Sequence, residues 1–153
     1  MQGLRDFHES GRLSPAPLLA HAVTDAYHDM FEGIDDEELE YGALMYAAEE
    51  SLRMIATTGG VPRRIVVSAD VDGGYVYDRV DYPTGVQITE EITLRECSSV
   101  HVDDGDAEAD VAGAIKALVA STADNDSDLG PVDDLSGREL LWFATQEISD
   151  ILI

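Results

Sequence analysis

His101, Asp103 and Asp104 stand together at the end of the string SSVHVDD. An imidazole and carboxylates at the C-terminal end of a strand form a donor set for Mg²⁺ or Mn²⁺, and such an ion would serve phosphate-ester hydrolysis. The same residues have a simpler account. Asp103-Asp104-Gly105 breaks the strand, and Asp106 is placed to cap the helix that follows. Glu108 and Asp110 then lie near the positive end of the helix dipole. Capping explains every acid in the cluster and is preferred, and His101 reads as a half-buried strand residue. A second constellation, Asp124, Asp126 and Asp128, matches the first three ligands of a D-x-D-x-D calcium loop. Its sixth position is Leu129 where the motif needs glycine, and its twelfth is Leu135 where it needs a bidentate glutamate. A solvated acidic loop is the simpler account here too.

Other chemistries lack their residues. There is no phosphate-binding glycine loop, no dinucleotide fingerprint, no H-E-x-x-H and no G-x-S-x-G elbow. Cys97 has no neighbouring histidine and reads as a small hydrophobe beside a strand. No catalytic residue is assigned and no cofactor is expected.

The elements that must position these residues follow from periodicity. Val100 and Val102 alternate as a strand, and Val111, Ile115 and Leu118 line one face of the next helix. Gly3 to Ser10 is expected as a short helix closed by Gly11, and Leu18 to Val23 as a strand, with Thr24 capping a short helix. Asp35 to Thr58 is the strongest helix, opened by an Asp35/Glu38 capping box and buried along Tyr41, Met45, Ala48, Leu52 and Ile55. RIVVSADV is a β-branched strand, with Tyr75 to Val80 expected to return beside it across Asp72-Gly73-Gly74. Val86 to Thr89 alternates again. Ala123 to Leu135 is expected as a polar loop. A final helix from Ser136 is expected to bury Leu141, Ala144, Ile148 and Ile151, with Trp142 a packing anchor and Glu147 reaching His101 or Arg138. Arg63-Arg64 is expected to pair with nearby acids.

The chain has 153 residues, 44% of them hydrophobic, which is enough for one compact domain with a core. Asp plus Glu number 32 against 9 Lys plus Arg, a net charge of -23. That field repels nucleic acid and anionic membranes and favours a basic protein partner. Lys116 is the only lysine, an arginine bias that suits a GC-rich genome or a salty cytoplasm. The lone Cys97, the absence of a signal-like start and the lack of a long apolar run point to the cytoplasm.

Five strings, EELEYGAL, AAEESLRMI, PRRIVVSADV, VHVDDGDAEADV and ELLWFATQEI, give the chain its most specific likeness. Through them it resembles, over nearly its whole length, an uncharacterised family of actinobacterial proteins known as a domain of unknown function. The resemblance implies no activity; it implies a GC-rich source, which would explain the arginine bias. Members of that family typically open with a short V-Y-x-P-x-T strand, whereas this chain starts at Met1-Gln2-Gly3. The expectation is a chain lacking that strand, and a sheet with an unpaired edge or a gap beside its hydrophobic middle.

The expected fold is α+β or α/β, with a mixed sheet of about four or five strands and helices mainly on one face. Three functions stay open: a non-enzymatic interaction or regulatory domain, a metal-dependent hydrolase at His101, Asp103 and Asp104, and a structural calcium loop. The first leads, because no constellation amounts to a catalytic signature. Oligomeric state is not legible.

Overall fold

The computed structural model describes residues 1–123 and 128–153. Helix α1 (Gln2–Ser10) buries Leu4 and Phe7, and Gly11 closes it with φ 70°. That left-handed conformation is open to glycine at little cost, and it lets the Gly11 N–H reach the Phe7 carbonyl at 2.8 Å. Strands β1 (Arg12–Leu13) and β2 (Leu18–His21) lie on either side of the proline connector. The Thr24 hydroxyl accepts from Tyr27 N and opens α2 (Asp25–Met30). Asp35 accepts from Glu38 N at 2.9 Å and opens α3 (Asp36–Thr58), so the aspartate half of the expected capping box is in place.

The remaining elements are β3 (Ile65–Ala69), β4 (Val76–Asp78), β5 (Gly85–Ile88), β6 (Ile92–Thr93), β7 (Cys97–Val102), α4 (Glu108–Ala123), α5 (Gly130–Ser136), β8 (Leu141–Ala144) and α6 (Ile148–Ile151). The protein is α+β. In place of one mixed sheet of four or five strands, the described strands form three small sheets, β1–β6, β2–β5–β4 and β3–β7–β8. Every pairing in them is antiparallel.

The structure corrects several expectations. Tyr75 to Val80 does not return beside β3; its β4 pairs with β5, Val76 opposite Ile88. Asp72 accepts from Gly74 N and winds Gly73–Tyr75 into a 3-10 turn that carries the chain away from β3. β3 pairs instead with β7, Val67 opposite Val100, which sets β-branched residues against each other.

The expected final helix is largely strand. Leu141 to Ala144 pairs with β7, Trp142 opposite His101 and Phe143 opposite Val100. A four-residue apolar run fits either period, and these aromatic residues pack well on a pleated surface. Helix appears on either side of it. α5 lies inside the stretch expected as loop, with Pro131 in its first turn, where the missing N–H costs nothing. Glu147 does not reach His101 or Arg138; it accepts from Ala144 N at 2.8 Å and starts the turn into α6.

The buried face of α3 is Leu39, Ala43, Ala48 and Leu52, and Tyr41 is exposed. The rotation follows from α2, because a Cβ at Gly42 would overlap the Tyr27 hydroxyl. α2 thus docks where α3 is small. The cap before α4 is Asp104, not Asp106: its carboxylate accepts from Ala107 N at 2.9 Å. In α4 the inner face runs through Val111, Ala114 and Leu118, with Ile115 half-buried.

Two apolar clusters result. One joins α1 and α6 to β5, β6 and β7 through Leu4, Phe7, Ile88, Ile92, Val100, Val102 and Ile148. The other joins α3, α4 and α5 through Leu52, Val111, Ala114, Leu118 and Leu135. Among the described residues no helix is long and apolar enough to cross a membrane.

Candidate functional site

The acidic turn after β7 is divided among structural partners. Antiparallel pairing carries Arg64, just before β3, to Asp103, just after β7. Both are buried, Asp103 at 0% exposure and Arg64 at 2%. Asp103 Oδ1 accepts from Arg64 Nη2 at 2.8 Å, and its Oδ2 accepts from Arg64 Nε at 3.0 Å and from Arg64 N at 2.7 Å. The guanidinium also donates to the Leu135 and Arg138 carbonyls, and Arg63 Nε donates to the Asp103 carbonyl at 2.8 Å. One paired charge thus ties the strand sheet to the α4–α5 layer.

Asp104 combines its cap with an ion pair to Arg138, which also holds Asp110 at 2.7 Å. Loss of water opposes its charge, but the bonds from Ala107 N–H and Arg138 outweigh that and hold the Asp104 carboxyl below its ordinary value.

Among the described residues His101 is hydrogen-bonded to neither carboxylate. Residues alternate across a strand, so Val66, His101 and Trp142 form one cross-strand row on the outward face of β3–β7–β8, and Ser68, Ser99 and Ala144 the next. His101 Nε2 lies 3.2 Å from Ser68 Oγ and 3.0 Å from Ser99 Oγ. Burial pushes its pKa down and so favours the neutral ring. Trp142 is 61% exposed beside it. A serine hydroxyl on an imidazole is half of a nucleophilic site. No carboxylate or carbonyl orients the other ring nitrogen among the described residues, and Ser99 is 5% exposed.

The most connected polar group lies elsewhere, on residues that local patterns do not single out together. His21 Nδ1 is 2.8 Å from Thr84 Oγ1, and its Nε2 is 2.5 Å from Glu50 Oε2. Arg79 places Nη1 and Nη2 each at 3.1 Å from the Glu50 oxygens and also holds Asp81. Tyr46 stacks on the His21 ring at 6.2 Å, Tyr82 meets it edge-on at 5.3 Å, and Arg79 lies 5.6 Å over Tyr82.

Burial works against the Glu50 charge, but the bonds from Arg79 and His21 prevail and set its pKa below the usual value. Its bonds to Glu50 and Asp81 raise Arg79. A hydroxyl, an imidazole and a carboxylate in series have the connectivity of an acyl-transfer triad. Here the set is closed: Thr84 is fully buried and the His21 side chain is 2% exposed, so no substrate atom reaches the hydroxyl. The relay clamps β2, α3 and the β4–β5 loop together.

Of the calcium-loop candidates, Asp124 and Asp126 lie outside the described residues, and Asp128 accepts from Gly130 N at 2.8 Å. Among the described residues no group of three or more histidine, cysteine or acidic side chains is arranged to hold a metal ion. His101, Asp103 and Asp104 are therefore not brought together as a ligand set. No buried side-chain nitrogen or oxygen among those residues lacks a hydrogen-bond partner either.

Burial pushes the Cys97 thiol up to about 11. In the native protein a disulfide reagent at neutral pH should therefore modify Cys97 roughly two orders of magnitude more slowly than in denaturant. Stopped-flow thiol titration in both states checks this.

No curated protein matches the chain, and no solved structure does. One family does, and it spans the β3–β7–β8 sheet, the Arg64–Asp103 lock and the His21 relay alike. Matching it over residues 1–152, the chain belongs to DUF6912, a family of unknown function.

Proposed function

We propose that the domain is a non-catalytic interaction module that receives a basic, arginine-bearing segment of a partner protein on the β3–β7–β8 face around Trp142. The observation that carries this reading is Trp142 itself, the chain's single tryptophan, 61% exposed on an open strand row. Tryptophans of this kind anchor interfaces, and their faces attract guanidinium groups. Charge supports the same partner. Among the described residues Arg12, Arg53, Arg64, Arg79 and Arg138 are already paired with acids inside the fold. The net charge of -23 is thus presented outward with few free cations beside it. The groups that could do chemistry, Asp103 and the His21 relay, are committed to holding the fold.

Trp142 fluorescence is the test, with three peptide probes of equal length: arginine-rich, lysine-rich and acidic. The arginine peptide is expected to bind and perturb the emission, the lysine peptide to bind more weakly, and the acidic peptide not at all. Trp142→Leu keeps apolar bulk but removes the aromatic face, and should weaken the arginine peptide about 3- to 30-fold by calorimetry. Equal affinity of Trp142→Leu and the parent protein would refute the reading.

A further inference from the structure

The corner between α2 and α3 carries an inference separate from the Trp142 reading. Four large apolar side chains lie open to solvent there: Met30 at 60%, Phe31 at 41%, Ile34 at 39% and Tyr41 at 46%. None of them belongs to either apolar cluster of the core. They adjoin one another. Phe31 closes α2 and accepts from Ile34 N at its carbonyl. Its ring meets Tyr27 edge-on at 5.2 Å, and the Tyr27 hydroxyl lies against Gly42, next to Tyr41. Gly33 turns the chain at φ 85°, and a Cβ there would meet nothing within 4 Å, so no side chain fills the corner. An exposed apolar surface with a polar rim marks an interaction site.

The corner is set apart from the α1–α6 side of the fold, where Met1 and Leu152 pack. α3 meets β3 through Ser51, whose Oγ accepts from Ile65 N at 3.1 Å. Asp36, at the start of α3, is about 22 Å along the helix from that contact.

The charge around the corner selects the occupant. From Asp25 to Glu40 the sequence holds eight acidic residues, and from Leu13 to Leu52 it holds no lysine or arginine. Asp35 is occupied with the α3 cap, and Asp36 lies 4.0 Å from His28. Among the described residues that is the only ion pair these acids make. Glu37 and Glu38 stand one turn before Tyr41 on the same face of α3. The corner is built of two helices and offers no strand edge, so side chains must hold whatever binds. A partner helix with apolar residues at i, i+3 or i+4 and i+7, and basic residues along its flanks, meets both requirements. We infer that the α2–α3 corner receives a basic amphipathic helix of a partner protein. Its apolar stripe lies on Met30, Phe31 and Tyr41, and its cations face Glu32, Glu37 and Glu38.

The experiment uses the full chain and two leucine–lysine peptides of identical composition, one ordered as an amphipathic helix and one scrambled. Calorimetry gives the affinities, and amide chemical shifts locate the site. At about 0.15 M NaCl the amphipathic peptide is expected to bind about tenfold or more tightly than the scramble, because both feel the same charge and only one presents a stripe. Its perturbations should centre on Met30 to Tyr41. Met30→Ser/Tyr41→Ser changes two exposed side chains and should weaken that peptide about tenfold. Glu37→Gln/Glu38→Gln should weaken it several-fold, and Trp142→Leu should leave it unchanged. Thermal unfolding confirms that each variant folds. Equal affinity for the two peptides, or no binding of either, overturns the proposal. So does full affinity in Met30→Ser/Tyr41→Ser. Perturbations confined to the Trp142 row would overturn it while leaving the reading of that row intact.

Discussion

Replacing Asp103 with asparagine is expected to be the most damaging single change of charge in the protein. The carboxylate is fully buried and is the counterion of Arg64, itself 2% exposed. Asparagine keeps the shape and can still accept from Arg64 N, but it leaves a guanidinium charge in the interior without its partner. Breaking a buried pair from one side costs roughly 3–5 kcal/mol. At about 2–4 °C per kcal/mol for a chain of this size, the midpoint of thermal unfolding should fall by about 6–20 °C.

A double-mutant cycle separates this from simple loss of contacts. Arg64→Met removes the stranded charge, so Arg64→Met/Asp103→Asn should be more stable than the sum of the single effects by about 1–3 kcal/mol. Urea unfolding of the four proteins measures it. Strictly additive losses would mean that Arg64 is held chiefly by the Leu135 and Arg138 carbonyls and not by the charge of Asp103.

The parts of this fold legible in the sequence are those decided within a few residues. Thr24 and Asp35 cap their helices, Gly11 ends α1, and the β-branched run at Ile65 is a strand. These are local contests between side chain and backbone, and the local winner also wins in the fold. β8 was not legible, because Leu141 to Ala144 satisfies both periods and the decision rests with Val100 and His101, about forty residues away. The Arg64–Asp103 lock left a partial trace: an Arg-Arg pair at the start of one strand and an Asp-Asp pair at the end of another become neighbours once the strands run antiparallel. The His21 relay left none. Its bonds span 63 and 29 positions, and a histidine, a threonine, a glutamate and an arginine so scattered look like ordinary surface composition until the strands and α3 converge.

That relay should give the acid side of the stability curve a distinct signature. Glu50 has a folded pKa below its ordinary value, set by Arg79 and His21 against the opposing effect of burial. A depressed carboxylate stabilises the native state fully above its unfolded pKa, about 4.3, and that contribution is lost as pH falls through the lower folded value. Glu50→Gln removes the charge while keeping one acceptor oxygen. Charge-assisted hydrogen bonds are worth roughly 1.5–3 kcal/mol each in this setting. The variant should therefore lose about 2–3 kcal/mol at pH 7. The parent protein's advantage should then shrink progressively below about pH 4.3. Asp81, Glu96 and Asp104 are depressed as well and also shape the acid limb, so the difference between parent and variant is the informative curve. Urea unfolding from pH 3 to 8 measures it. A difference that stays constant across that range would mean that the clamp acts through shape and not through the charge of Glu50. The His21, Tyr46 and Tyr82 stack would then be what fastens α3 to β2 and the β4–β5 loop.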